Sequence, residues 1–347
     1  MKILKQVLGV DVAQKELVVS LGRIYDDLSK EVYAHKVFSN KESGIVALLK
    51  WIKKHTHEDI KLIIVMEATG VYHEKFAYYL DDKGYDLSIV LPNKISNYMR
   101  TLETKTITDK TCSEAITLFG LERNLDKWKR PKPVYKFLLQ LTRERDQIVA
   151  ERSMVKNQLH AEEVEAVPNT RSLKRLKQRI KFLNKQEQEI KADIDSYIKN
   201  EDEIKAQIEN ITSIPGVGKL TAITVLAETN GFELIRNKRQ LASYAGFDIK
   251  EKQSGTSIKG KSKISKKGNR HLRKAMHLPS LSAVKHDENF KEVYIRLISK
   301  HGIKMKALIA IQRKLLELTY VLFKNKTKYD NEYKSNKRAQ PMMAATL

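Results

Sequence analysis

Cysteine is almost absent from this chain of 347 residues. The single one, Cys112, excludes an internal disulfide and any zinc site built on clustered cysteines, in keeping with a reducing compartment. The nine histidines show no paired metal-ligand spacing, and the two tryptophans, Trp51 and Trp128, read as packing residues. Long apolar runs are also missing. Stretches such as 62–66 and 307–311 fall far below the roughly 18–20 residues that span a bilayer, so no transmembrane helix is expected. The N-terminus carries Lys2 and Lys5, but Asp11 cuts its apolar run and no small-residue cleavage site follows, so it does not read as a secretion signal. No internal repeat is present. Acidic residues are the minority, 42 Asp+Glu against 65 Lys+Arg, a formal net charge of +23. Such a surplus attracts polyanions; nucleic acid is the usual one, and an anionic membrane surface is the competing explanation. With 41% hydrophobic and 31% charged residues the chain is not wholly disordered, and its length implies two or three domains.

Residues 6–125 alternate β-rich and helical patterns, the sign of an α/β domain. Strands are expected at 6–12, 16–22, 31–39, 61–66 and 86–91, with helices at 41–55 and 73–83 covering the sheet. Three early strands, then helix, strand, helix, strand, match the order of a ribonuclease H-like fold. From Val134 the spacing of Leu138, Leu141, Ile148, Val155 and Leu159 is that of a coiled-coil seam. Pro168 and Asn169 break it, and Leu173, Leu176, Ile180, Leu183, Ile190 and Ile194 resume it toward Ile211, so two long antiparallel helices are expected. They form either a plain helical spacer or a dimer-forming arm. A third region starts at Ser213, a last amphipathic helix spans 304–323, and the chain beyond reads as a mobile tail. The expected divisions are 1–125, 126–211, 212–325 and 326–347.

Asp11 ends one apolar strand and Glu67 another, and a carboxylate there is costly unless something neutralises it. Joined by Asp109 at a helix start, these acids would make a hard oxygen cage suited to Mg²⁺. Taken singly each reads as a capping or surface carboxylate, and Asp109 as a helix N-cap. The stretch from Ser213 to Thr221 places Gly216, Gly218 and Lys219 just before a helix, where free N–H groups can hold a phosphate. It looks like the hairpin of a helix-hairpin-helix element, although a Pro-Gly pair also makes an ordinary turn. Residues 250–274 hold ten basic residues and one acid; Lys259, Lys261, Lys263, Lys266, Lys267, Asn269, Arg270 and Arg273 are candidate nucleic-acid contacts. A serine among these glycines is a candidate nucleophile, and the alternative is a flexible basic loop that only grips phosphates. His271 and His277 read as phosphate or surface contacts.

These pieces together resemble the insertion sequence family 110 transposases (the IS110/IS1111 group), which include Piv-like DNA invertases. The resemblance lies in Gly9-Val10-Asp11-Val12-Ala13, Met66-Glu67-Ala68-Thr69-Gly70, Thr108-Asp109-Lys110, the turn at 213–218, Tyr244-Ala245-Gly246, Ser254-Gly255 and 266–273. It implies an α/β RuvC-like N-terminal domain with a DEDD metal set and a mainly helical C-terminal transposase domain. Carried over by position, the metal acids, for Mg²⁺ or Mn²⁺, are Asp11, Glu67 and Asp109, and Ser254 is the nucleophile of a serine recombinase that forms a phosphoserine link with DNA. The family's fourth acid falls on Cys112, a poor Mg²⁺ ligand as thiolate, and Glu114 lies close by in sequence. The resemblance further implies donor and target double-stranded DNA, a structured guide (bridge) RNA, a homo-oligomer, dimer or tetramer, whose halves meet across subunits, and a cytoplasmic, nucleoid-associated bacterial setting. Two other readings fit the residues: a RuvC-like metal-dependent nuclease that hydrolyses DNA without a covalent intermediate, and a non-catalytic nucleic-acid-binding protein.

Overall fold

The computed structural model describes residues 1–68, 70–102, 105–233, 235–251, 253–254, 258–260 and 263–331, with backbone alone at 253, 254, 258 and 259. The chain divides into two compact units, residues 1–130 and 131–347.

The first unit is built on five strands: β1 (Ile3–Val12), β2 (Glu16–Tyr25), β3 (Lys30–Ser39), β4 (Leu62–Glu67) and β5 (Asp86–Val90). The sheet order is β3-β2-β1-β4-β5. Short turns join β1, β2 and β3, so they pair antiparallel. Helices α1 (Glu42–His55) and α2 (Glu74–Asp82) supply the crossovers that lay β4 and β5 parallel to β1. The central strand is buried on both faces, which is why it reads as a continuous apolar run. Leu8 and Val10 pack with Ile45, Leu48, Phe76 and Leu80 under α1 and α2. Val7 turns to the opposite face, where α3 (Pro92–Met99) and α4 (Asp109–Glu122) contribute Ile95, Ile116 and Leu121. All five expected strands and both covering helices are present, and α3 is an addition that the sequence pattern did not show.

In the second unit α5 (Pro133–Glu163) and α6 (Thr170–Ile198) run antiparallel: Glu162 faces Ser172, Glu151 faces Arg179, and Glu187 faces Arg145 and Arg152. Asn169 starts α6 by accepting from the backbone N–H of Arg171 at 3.1 Å and of Ser172 at 3.2 Å. Leu138, Ile148, Val155, Leu183, Ile190 and Ile194 are buried along the seam. The period does not continue unbroken to Ile211: α6 ends at Ile198 and α7 (Asp202–Thr212) begins after a bend. A tight turn leads to α8 (Lys219–Glu228), then α9 (Lys238–Ala245).

Four short strands are described within the basic stretch that follows. They are β6 (Ile249–Lys250), β7 (Gln253–Ser254), β8 (Ile258–Lys259) and β9 (Lys263–Ile264), which pair antiparallel as two two-stranded sheets, β6 with β9 and β7 with β8. Four helices complete the unit: α10 (Arg270–Ala275), α11 (His277–His286), α12 (Glu288–His301) and α13 (Lys304–Asn325). Ile311 and Leu315 of α13 join one continuous core with Leu226, Leu241 and Met276 and with the buried residues of α5 and α6. Just past α13, where the chain reads as the start of a mobile tail, Tyr329 is held. Its N–H donates to Ser213 Oγ at 2.7 Å and its hydroxyl to Asp287 Oδ2 at 2.8 Å. The rest of that tail, from 332, lies outside the described residues.

Candidate active site

Asp11 stands near the C-terminal end of β1, one residue beyond the Val10–Met66 register pair, and Glu67 ends the neighbouring β4. Asp109 is the first residue of α4. Its expected role as N-cap falls to Thr108, whose Oγ1 accepts from the Thr111 N–H at 3.2 Å while Thr111 Oγ1 accepts from the Thr108 N–H at 2.8 Å. The carboxylate of Asp109 therefore stands outside the cap.

Close packing brings α4 over the sheet. A Cβ on Gly9 would overlap Thr117 and come within 2.6 Å of the Ser113 carbonyl oxygen. Ser113 Oγ meets Ser20 Oγ at 2.7 Å, and Thr117 Oγ1 donates to the Ser20 carbonyl at 3.0 Å. At the far end Lys5 Nζ donates to the carbonyls of Gly120 at 2.6 Å and Arg123 at 3.0 Å, satisfying last-turn oxygens of α4. Small residues and one lysine thus fix where Asp109 lies relative to β1.

The electrostatics show that the three acids share one locality. Burial, then the charge of Glu67, then that of Asp109 push the Asp11 carboxyl up to about 6, against the pull of a backbone hydrogen bond at Val12. Cys112, one turn along α4, is half-buried, and burial followed by Asp11, Glu67 and Asp109 raises its thiol above the ordinary value. A thiol in that field stays protonated at neutral pH and is a poor cation ligand. Glu114 turns to Lys110, 3.9 Å away. Among the described residues no three His, Cys, Asp or Glu side chains stand ready to hold a metal ion as placed, so the expected oxygen cage is not preformed. The donor chemistry nonetheless fits a hard divalent cation: three carboxylates repel one another where one of them is half-buried.

In the second unit the candidates separate into structural and exposed groups. Gly216 has φ of +87°, and a Cβ there would lie 2.8 Å from the Pro279 oxygen and the Ala283 nitrogen, so the turn is seated on α11. Gly218, the N-cap of α8, faces open space, and Lys219 pairs with Asp195 at 2.6 Å. Arg273 Nη1 donates to the Ala245 carbonyl at 2.6 Å and the Gly268 carbonyl at 3.2 Å. Asn269 caps α10 through Oδ1, and its Nδ2 donates to Glu228 Oε2 at 2.6 Å. Lys263, Lys266, Lys267 and Arg270 are exposed. The side chains of Ser254 and Lys259 and all of Lys261 lie outside the described residues, while the Ser254 backbone pairs with Ile258.

A DEDD transposase model of the IS110 group matches residues 8–168, and one described as Transposase IS116/IS110/IS902 family matches 208–295, together more than two thirds of the chain. The chain belongs to the IS110 family of transposases. The pilin gene-inverting protein of Moraxella lacunata is 25% identical over 327 residues, covering 94% of this chain and 98% of that protein. The transposase for insertion sequence element IS1111A of Coxiella burnetii is 23% identical, covering 93% and 91%. The structure of T. thermophilus RuvC in complex with Holliday junction substrate aligns with 35% of this chain and 99% of that one, at 10% identity and a TM-score of 0.26.

As an IS110 transposase the chain is an enzyme that cuts and rejoins DNA. Among its described residues no helix is long and apolar enough to cross a membrane. One polar cluster of the transposase escaped the sequence reading. The buried Glu228 carboxylate accepts from Arg143 Nε and Nη2, both at 2.9 Å, as well as from Asn269, and the Tyr244 hydroxyl donates to the Glu228 carbonyl at 2.9 Å. Asp146 pairs with Lys274 at 3.1 Å beside His271. The available signal was a carboxylate ending the apolar stretch 222–228.

Proposed function

We propose that this transposase recombines DNA through a covalent phosphoserine at Ser254, with Asp11, Glu67 and Asp109 binding Mg²⁺ or Mn²⁺ and with a guide (bridge) RNA directing it to donor and target duplexes. The observation that carries the acidic half is the upward shift of Asp11 under the charges of Glu67 and Asp109, a cluster that a divalent cation would relieve. Bound there, the cation would neutralise charge on the attacking and leaving oxygens. Ser254 Oγ loses its proton and forms the bond to phosphorus, the bond from phosphorus to a deoxyribose oxygen breaks, and that oxygen takes up a proton. Rejoining is the reverse, a DNA hydroxyl displacing the serine. Lys259, Lys261, Lys263, Lys266, Lys267 and Arg270, with the open turn at Gly218 and Lys219, grip backbone phosphates. Gly216, Asn269 and Arg273 act in the same surface through the bonds that shape it. In this reading 1–125 is the metal-binding domain, 126–211 a coiled-coil arm, 212–325 the serine-bearing domain with its helix-hairpin-helix-like element, and the working form is a homo-oligomer.

The test incubates the purified chain with Mg²⁺, RNA transcribed from the flanking DNA and labelled donor and target duplexes, then resolves denatured products. A DNA adduct on the protein that disappears in Ser254→Ala, with all cutting lost in Asp11→Ala, upholds the proposal. Free 5′-phosphate ends without adduct would assign water as the nucleophile, and adducts persisting in Ser254→Ala would overturn the serine.

A further inference from the structure

On the face of the first unit covered by α1 and α2, a recess of about 330 Å³ is lined by Leu49, Lys50 and Lys53 of α1 and by Tyr79, Lys83 and Tyr85 at the end of α2 and the approach to β5. The volume sits at the low end of the roughly 300–1,000 Å³ of small-ligand sites. Both tyrosines are half-buried against the core beneath the helices, so their positions are set by the fold. The Lys83 ammonium lies 5.9 Å from the centre of the Tyr79 ring. None of the three lysines pairs with a carboxylate among the described residues, whereas in the same unit Lys61 and Lys127 both close on Asp86 and Lys30 on Glu122.

We infer that this recess holds one unstacked nucleotide of a single-stranded nucleic acid, its base against the tyrosines and the flanking phosphates on Lys50, Lys53 and Lys83. Aromatic walls accept the face of any splayed base, and lysines left without a protein partner neutralise phosphate; a duplex, whose bases are stacked away, offers the recess only its backbone. The location sets it apart from the cutting site. Tyr85 immediately precedes β5, at the end of the parallel strands where they begin, while Glu67 closes β4 at the other end. The nucleotide bound here is therefore held apart from the acids, in a guiding or holding role rather than at the bond being cut. The inference rests on the chain acting on nucleic acid, not on Ser254.

The experiment uses the full chain and short fluorescein-labelled single strands of one mixed sequence, as RNA and as DNA, with affinity read by anisotropy across a salt series. Each single-strand phosphate contact contributes about 0.7 to the slope of log affinity against log salt, so replacing Lys50, Lys53 and Lys83 by Gln should lower the slope by about 2. Tyr79→Ala should weaken binding about tenfold, while Tyr79→Phe keeps the ring and the affinity. Strands carrying 4-thiouridine or 4-thiothymidine should crosslink to peptides containing Tyr79 or Tyr85, a readout that does not depend on a variant folding. Equal binding of both strands assigns the site to phosphate and base, tighter RNA binding adds the 2′-hydroxyl, and both uphold the inference. An unchanged slope with crosslinks elsewhere, or competition by polyglutamate as effective as by unlabelled strand, overturns it. Binding is read without cutting, so the loss of the Ser254 adduct would leave this result standing.

Discussion

Asparagine at position 11 keeps the shape of the side chain and removes its charge, and the structure gives the consequence a sign. The Asp11 carboxyl titrates at about 6 instead of 3.8, through burial first and then through Glu67 and Asp109. An acid whose folded-state pKa is raised costs stability wherever it is ionised: the cost is absent below the unfolded value near 4, grows with pH, and is complete above about pH 7. A shift of about two units corresponds to about 3 kcal/mol, and solvent screening of a carboxylate that is only half-buried reduces this to about 1.5 kcal/mol. Asp11→Asn should therefore stabilise the first unit by about 1–2 kcal/mol at pH 8 and by about half as much at pH 5, while abolishing DNA cutting. Both tryptophans, Trp51 and Trp128, lie in residues 1–130, so tryptophan fluorescence during urea unfolding of the full chain reports this unit alone. Added Mg²⁺ or Mn²⁺ should raise the midpoint of the natural chain and leave that of the variant nearly unmoved. A variant less stable than the natural chain at pH 8, or a gain equal at the two pH values, would refute the clustering of the three acids.

Gly9→Ala sets a methyl group against the backbone of α4 and should cost about 1–3 kcal/mol in urea unfolding, with cutting falling further than stability because Asp109 moves with the helix. Cys112→Asp places a fourth carboxylate beside Asp11, Glu67 and Asp109; calorimetric titration with Mn²⁺ should show tighter binding, and unchanged affinity would place position 112 outside the metal set. Glu228→Ala leaves Arg143 and Asn269 without their shared acceptor and should destabilise the helical unit by about 2–3 kcal/mol, read by circular dichroism, with Glu228→Gln recovering part of it.

What was legible in the sequence follows from how local each signal is. The five strands announce themselves because each is a run rich in β-branched, aromatic or other apolar residues bounded by turns or helices, and β1 buries successive residues on opposite faces. Helix α3 escaped because its eight residues hold only Ile95 and Tyr98 as buried anchors. The bend between α6 and α7 escaped because Lys199, Asn200 and Glu201 include neither proline nor glycine. In the basic stretch, glycines and lysines read as loop, while the short strand pairs come from cross-strand backbone bonds such as that joining Gln253 with Lys259. The Arg143–Glu228 pair joins residues 85 apart, a distance at which no spacing rule operates.

The acids themselves were legible for a thermodynamic reason: a carboxylate closing a buried strand is unfavourable without a partner, and that anomaly stands out in one dimension. What holds them in one field is not. Register between β1 and β4 brings Asp11 and Glu67 to the same end of the sheet, but Asp109 arrives only because α4, through its Ser113 and Thr117, rests on Gly9 and Ser20 with little between helix and sheet. A larger side chain at Gly9 would leave every acid in the sequence and still separate Asp109 from Asp11. The spacing of the candidate site is therefore written in the small residues of β1, β2 and α4, and its charge in the acids, which is why reading the acids alone yields the chemistry before it yields the geometry.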